Sequence, residues 1–305
     1  MNSENMDRVL LTGSNELLTR HFMRVYEGVY DMRLLTRHPM ADNHFYWNPL
    51  KDELDPNALE GIDHIIHVGG SSESPLTLDV HHRDVLISYR AGGTALIGRM
   101  LMALGQELET FITVSSTTFY GSDTNPYIHT EASRSGHDFL AQLHSAGEEE
   151  AYILEVEALA KRSVALRFGN VLCHYGGILP HITIGSSRGI AVIYGNGDQI
   201  IPWIHVSDAA RILRWAIDND NLYGAYNCVA PDWVTYDQLS STAAYVRRGR
   251  TYPLHLPKCL LRMARGEFSE QFLNSNRISC KHLLQTGYSF LYPDIHSALT
   301  SIYDL

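Results

Sequence analysis

Residues 12–19 read Thr-Gly-Ser-Asn-Glu-Leu-Leu-Thr, with Gly13 closing an apolar run and a helix-compatible stretch beginning just after it. A glycine there lets the backbone turn tightly and aims the first amide groups of the helix at an anion, and a phosphate suits that geometry. A full G-x-x-G-x-x-G turn would have glycines where Glu16 and Thr19 stand. Two like charges about 4 Å apart repel by roughly 4 kcal/mol at an effective dielectric near 20. A Glu16 carboxylate aimed at a diphosphate therefore opposes binding, and the turn reads equally well as a purely structural one. Arg37, between Thr36 and His38, offers a cation where an acid would suit the ribose hydroxyls of NAD. It favours NADP, with NAD as the alternative, unless it is simply a solvated arginine.

The 16 histidines raise the question of a metal. His81 and His82 are adjacent, His64 and His67 would face opposite sides of a strand, and no H-E-x-x-H spacing occurs. Cys173, Cys228, Cys259 and Cys280 are far apart without a C-x-x-C pair, and all read as reduced packing residues. Neither G-x-x-x-x-G-K-[ST] nor G-x-S-x-G is present, which disfavours nucleotide hydrolysis and serine-hydrolase chemistry.

The elements that must position these groups follow from periodicity. Arg8 to Thr12 reads as a strand, followed by a helix with Leu17, Leu18, Phe22 and Val25 on one face. Met32 to Thr36, Phe45 to Trp47, His64 to Val68, Phe111 to Ser115 and Ser163 to Phe168 read as further strands. A helical region carrying Val85, Leu86, Ala95, Leu96 and Leu104 lies between the fourth and fifth. Strands separated by helices predict a parallel sheet with right-handed crossovers: an α/β, Rossmann-type doubly wound fold. Beyond Gly169 the alternation fades. The expected division is a dinucleotide-binding domain over 1–169 and a mixed α/β substrate-type lobe over 170–305, partly interleaved with it. Ser207 or Asp208 reads as the N-cap of a helix holding Ile212, Leu213 and Ala216, and the acidic run Glu148 to Glu150 reads as a solvated helix face.

The chain has 305 residues, 45% of them hydrophobic and 19% charged, with a net charge of -10. That balance belongs to a globular protein and argues against nucleic acid or an anionic membrane surface as the main partner. No apolar stretch approaches the roughly 20 residues that span a bilayer, and the opening lacks a basic region followed by an apolar core. The expectation is a cytoplasmic protein with a small-molecule ligand, as a monomer or a homodimer.

Five stretches, VLLTG, HIIHVGG, SSTTFYG, LRFGNVL and PWIHVSDAA, together resemble the epimerase/dehydratase branch of the extended short-chain dehydrogenase/reductase superfamily, nearly end to end. DFLAQL, GNGDQIIPWIHVSD, and RMARGE followed by LLQTGYSF look like an atypical epimerase family group with its own short C-terminal domain. The resemblance implies cofactor contacts at Thr12, Gly13, Asn15, Leu17, Arg37, Val68, Gly69, Gly70 and Ser115. It implies a substrate-orienting hydroxyl at Ser116, and substrate contacts at Tyr120, Asn170, Gln199, Trp203 and His205. Asn170 reads equally as the brace of a turn, while Trp203 and His205 are expected to line a cleft.

The family's acid/base pair, Tyr-x-x-x-Lys, aligns with Phe139 and Leu143, which carry neither a phenol nor an ammonium. No register restores it, because the residues four before Lys51, Lys161, Lys258 and Lys281 are Trp47, Glu157, Leu254 and Arg277. A positioned acid/base contributes about 10²- to 10⁴-fold in rate. His137, His144, Tyr120 and Tyr127 are the nearby candidates for a substitute. Three readings stay open: a family member that binds cofactor or a small molecule without the standard chemistry, an active NADP-dependent oxidoreductase or epimerase using Ser116 and a substitute acid, and a cofactor-free scaffold or regulatory protein.

Overall fold

The computed structural model describes residues 6–69, 80–122, 127–259, 263 and 275–304. Gly70, His81, His82, and Arg262 and Ala264 to Glu267 of the RMARGE stretch lie outside the described residues or have undescribed side chains.

An eight-stranded sheet organises the molecule. Its strands are β1 (Arg8–Leu11), β2 (Asp31–Thr36), β3 (His44–Asn48), β4 (Glu53–Leu54), β5 (His64–His67), β6 (Thr110–Ser116), β7 (Ser163–Phe168) and β8 (Gly224–Cys228), in the spatial order β8-β7-β6-β5-β1-β2-β3-β4. All neighbours run parallel except the short edge strand β4. The order reverses between β1 and β5, the topological switch where such sheets open a crevice at the strand C-termini. β8 is an addition to the sequence reading: its GAYNC has too little apolar character to announce a strand, and only pairing with β7 defines it.

Both sheet faces are covered, so the strands are apolar without strict alternation. Val9 and Leu11 pack with α1 (Leu17–Val25) and Ile212 and Leu213 of a later helix, while Leu10 packs with Leu35, Ile65, Phe111 and Ile97 on the other side. The helices α2 (Val80–Ile87), α3 (Gly93–Leu104) and α4 (Phe139–Val156) follow in the chain, with a π-helical turn at Ser88–Gly92 joining α2 to α3.

A second core gathers Leu172, Trp203, Tyr236 and Leu239 with Leu299. It is built by α6 (Tyr236–Arg248) and α7 (Ile295–Tyr303) and by the strand Ile190–Tyr194, which pairs in parallel with Tyr252–Leu256, whereas α5 (Val206–Asp218) carries the Ile212 and Leu213 that pack in the first core. Trp203 is 1% exposed and its indole N–H donates to the Asp232 carbonyl, so it belongs to this core rather than to a cleft wall.

Three local expectations are corrected. The cap of α5 is His205, whose Nδ1 accepts from the Ser207 N–H at 3.1 Å, rather than Ser207 or Asp208. Asp208 is fully buried and accepts from the Tyr288 hydroxyl and the Leu291 and Tyr292 amides, pinning the C-terminal segment. Cys259 is exposed, whereas Cys173, Cys228 and Cys280 are buried and free; it follows a strand whose own residues are largely exposed. Glu148 is not on a solvated face, since its side chain is only 11% exposed and pairs with Arg167. Periodicity alone treats three consecutive glutamates alike, but α4 turns this one toward the sheet.

Candidate functional site

The turn after β1 is held by a relay of hydrogen bonds. The Val68 amide donates to Thr12 Oγ1 at 2.8 Å, and Thr12 Oγ1 lies 3.2 Å from His67 Nδ1. His67 Nε2 lies 3.1 Å from the Arg90 carbonyl. Burial, with the nearby Arg90 charge, pushes the His67 pKa down to about 4. The ring is therefore neutral, and the network assigns its proton to Nε2, donating to Arg90. Gly13 turns the chain at φ +71°, and a Cβ there would sit 2.8 Å from the Val68 carbonyl oxygen. No other residue type fits that close approach without displacing β5's end.

The two lost glycines have different outcomes. Thr19 is 1% exposed and its hydroxyl donates to the Thr12 carbonyl at 2.9 Å, so it closes the helix against the strand by a bond where glycine would do so by lacking a side chain. Glu16 precedes α1 as its N-cap residue without a side-chain capping bond. Its carboxyl is held above the usual range by burial, opposed by the charges of Arg90 and Arg20.

Together with Gly13, Ser14, Asn15, Leu35, Thr36, Arg37, Trp47 and Tyr89, Glu16 lines an open pocket at the C-terminal edge of β1 and β2. Arg37 sits with its guanidinium carbon 6.0 Å from the Tyr89 ring centroid. Val68 and Gly69 are buried at the end of β5, and Leu17 opens α1 next to the pocket.

Farther along the same edge, β6 ends at Ser115 and Ser116. Ser116 caps the 3-10 turn Thr117–Tyr120: its Oγ accepts from the Thr118 amide at 3.2 Å and the Thr118 hydroxyl at 3.1 Å. Ser115 is 4% exposed and donates to Glu148 Oε1 at 2.5 Å. Arg167, on β7, donates to Glu148 through Nε at 3.0 and 3.2 Å and Nη2 at 2.7 Å, and to the Tyr120 hydroxyl at 2.9 Å. Tyr120 in turn donates to Asn227 Oδ1 at 2.6 Å, and the Asn227 amide donates to Glu131 at 2.8 Å. Tyr120 is 4% exposed, and burial pushes its pKa up to about 12. Sequence reasoning missed Glu148, Asn227 and Glu131. An acid five residues beyond Leu143 on the same helix was the available signal for Glu148; nothing in the sequence marks Asn227.

The remaining candidates separate into distinct places. Asn170 donates to the Pro202 carbonyl at 2.9 Å, which joins the β7 exit to the Trp203–His205 strand. Gln199 and His205 are each 5% exposed, Gln199 just before the strand Ile200–Ile201 and His205 as the cap of α5. Phe139 opens α4 with the Arg83 guanidinium carbon 4.9 Å above its ring, and Leu143 is 5% exposed. Of the substitute acids, His144 is buried and its pKa is driven well below the usual value by that burial, whereas Tyr127 and His137 are exposed. Among the described residues no cluster of His, Cys, Asp and Glu could hold a metal ion, and no helix is long and apolar enough to cross a membrane.

Comparison with known proteins adds the family. Residues 256–302 match a domain of unknown function, DUF1731. The chain is 28% identical over 96% of its length to the epimerase family protein YfhF of Bacillus subtilis, covering 97% of that protein. It is 30% identical over 88% of its length to an epimerase family protein of Mycobacterium bovis, covering 87% of it. The fold is that of human epimerase family protein SDR39U1 (isoform 2), solved with NADPH, at a TM-score of 0.84 and 23% identity over 97% of this chain and 99% of that one. With residues 9–228 also matching the NAD dependent epimerase/dehydratase family, the chain belongs to that family.

Proposed function

We propose that this protein binds NADP(H) in the crevice at the C-terminal ends of β1 and β2, and holds it without the Tyr-Lys proton transfer common on this scaffold. The observation that carries the reading is the pocket itself, where the Gly13 turn, Glu16 and Arg37 line one opening. A dinucleotide fits two features: a glycine turn that a Cβ would block, and a cation at the end of β2 suited to the 2′-phosphate. Binding of NADPH by a human relative supports the same cofactor. When bound, the nicotinamide would supply a hydride donor or acceptor. On the protein side, Thr12 and His67 hold the turn, Arg37 recognises the adenosine phosphate, and Ser116 presents a hydroxyl already occupied by Thr118. Phe139 and Leu143 offer no proton, and the buried Tyr120 phenol is committed to Asn227, so small-molecule or cofactor binding is favoured over turnover.

Calorimetric titration with NADPH, NADP, NADH and NAD tests the reading. Saturable NADPH binding is expected, with NADH at least about tenfold weaker for the lost charge-assisted contact. Ligand at about 100 times its dissociation constant should stabilise the fold by roughly 2.7 kcal/mol. Absence of binding at millimolar cofactor would reject the reading and favour a cofactor-free scaffold.

A further inference from the structure

Arg90 stands between the nucleotide turn and the Glu148 network and is committed to neither. It projects from the π-helical turn at Ser88–Gly92, a distortion often found at functional positions. Its backbone carbonyl is fixed by His67 at 3.1 Å and by the Thr94 hydroxyl at 3.0 Å. Two glycines clear its path. A Cβ on Gly69 would lie 2.8 Å from Arg90 Cα, and one on Gly147 would lie 2.6 Å from Arg90 Cγ.

At the far end, Nη1 donates to the Val114 carbonyl at 2.8 Å, while Nε is sealed from solvent with no hydrogen-bond partner. Both Glu148 and Glu16 act on this guanidinium through space, but neither forms an ion pair with it. A charged group so placed, with an unsatisfied buried donor, is costly to the free protein unless a ligand completes it.

Its position relative to α4 sharpens the point. Phe139, Leu143 and Gly147 follow one another at helical spacing on one face. The Arg90 stem crosses that face at Gly147, one turn beyond the place where the family's lysine would stand. A cation thus packs directly against the face of α4 on which Leu143 stands in place of a lysine.

We propose that Arg90 is the positioning residue for the cofactor's diphosphate, offsetting the Glu16 carboxylate that occupies the second glycine position of the turn. This rests on the NADP(H) reading above. Arg90 brings a positive charge to the side of the turn that Glu16 makes negative, and the diphosphate supplies the acceptors that its guanidinium lacks in the free protein. The arrangement replaces bare backbone approach, which the lost glycine would have allowed, with a paired side chain.

Titration of NADPH and of adenosine 2′-phosphate, which has no diphosphate, against wild type, Arg90→Met, Arg90→Lys and Glu16→Gln tests it. Arg90→Met should weaken NADPH about 10- to 100-fold and leave adenosine 2′-phosphate within about twofold, with Arg90→Lys recovering part of the loss. Glu16→Gln should tighten NADPH, and the penalty of Arg90→Met should shrink in the Glu16→Gln background. Should Arg90→Met prove poorly folded, Arg90→Lys and Glu16→Gln carry the same comparison. Unchanged NADPH affinity in Arg90→Met, or equal losses for both ligands, would overturn the assignment of Arg90 while leaving the cofactor reading intact. Failure of wild type to bind either ligand would overturn the cofactor reading and this inference with it.

Discussion

The crevice beside α1 and the polar network joining β6, β7 and α4 lie along the same edge of one sheet, yet their polar groups are arranged differently. In the network, Glu148 receives Ser115 and both faces of the Arg167 fork, Arg167 also reaches Tyr120, and Tyr120 reaches Asn227. Each charge meets its partner within the protein, and Arg167 additionally lies 3.5 Å from the Phe119 ring centroid. At the pocket, Glu16 caps α1 without a side-chain bond, and Arg90, close enough to act on Glu16 through space, has a buried Nε with no acceptor. A closed network rigidifies the scaffold, whereas open donors and charges are where a ligand can gain. The same sheet edge thus carries, side by side, a network closed within the protein and polar groups that are not so closed.

The comparison is broken most severely by opening the closed side. Arg167→Met leaves Glu148 buried without its partner, and loss of one member of a buried pair costs about 3–5 kcal/mol; urea denaturation should show a drop of that size, and a change under 1 kcal/mol would mean that the network is not the brace described. Next, Asp208→Ala removes the acceptor of the Tyr288 hydroxyl and of two backbone amides. It should cost about 2–4 kcal/mol, read by the same denaturation, because buried donors are left unsatisfied.

On the open side the effects appear in binding. Arg37→Ala should reduce the preference for NADPH over NADH by about tenfold, or roughly 1.4 kcal/mol, with little change in the melting temperature. An unchanged preference would remove Arg37 from the cofactor site.

The smallest effect concerns pH. Burial raises the Glu16 pKa, so the folded protein holds that proton more tightly than the unfolded chain. Its contribution to stability is full below the unfolded value, 4.5, and is lost as the pH rises through the higher folded value. Denaturation midpoints of Glu16→Gln should therefore match wild type in acid and exceed it at neutral pH, and identical profiles would show that Glu16 is not desolvated.

The strands β1, β2, β3, β5, β6 and β7 were legible because parallel strands within such a sheet are short apolar runs, here ending at glycine, serine or threonine or, for β3, at Asn48-Pro49. β8 was not, because its tyrosine and asparagine are placed by partners distant in sequence. Thr12, Gly13, Glu16 and Arg37 do meet around one turn as their spacing suggests, with Glu16 and Arg37 in one pocket. Trp203 and His205 were expected along a cleft, but their segment pairs with Asn170–Cys173, Trp203 sits in the second core and His205 is the buried cap of α5. Arg90 escaped sequence reasoning entirely, since an arginine in a helical stretch has no local mark of being aimed inward.

By itself the sequence determined which groups stand at given positions, a side-chain-free backbone at Gly13 and neither phenol nor ammonium at Phe139 and Leu143, because residue identity settles that outright. Only the tertiary structure decided which charges are closed upon one another and which stay open. Pairing depends on distances between groups far apart in the chain, as between Arg167 and Glu148, and those distances are set by the packing of α4 against the sheet.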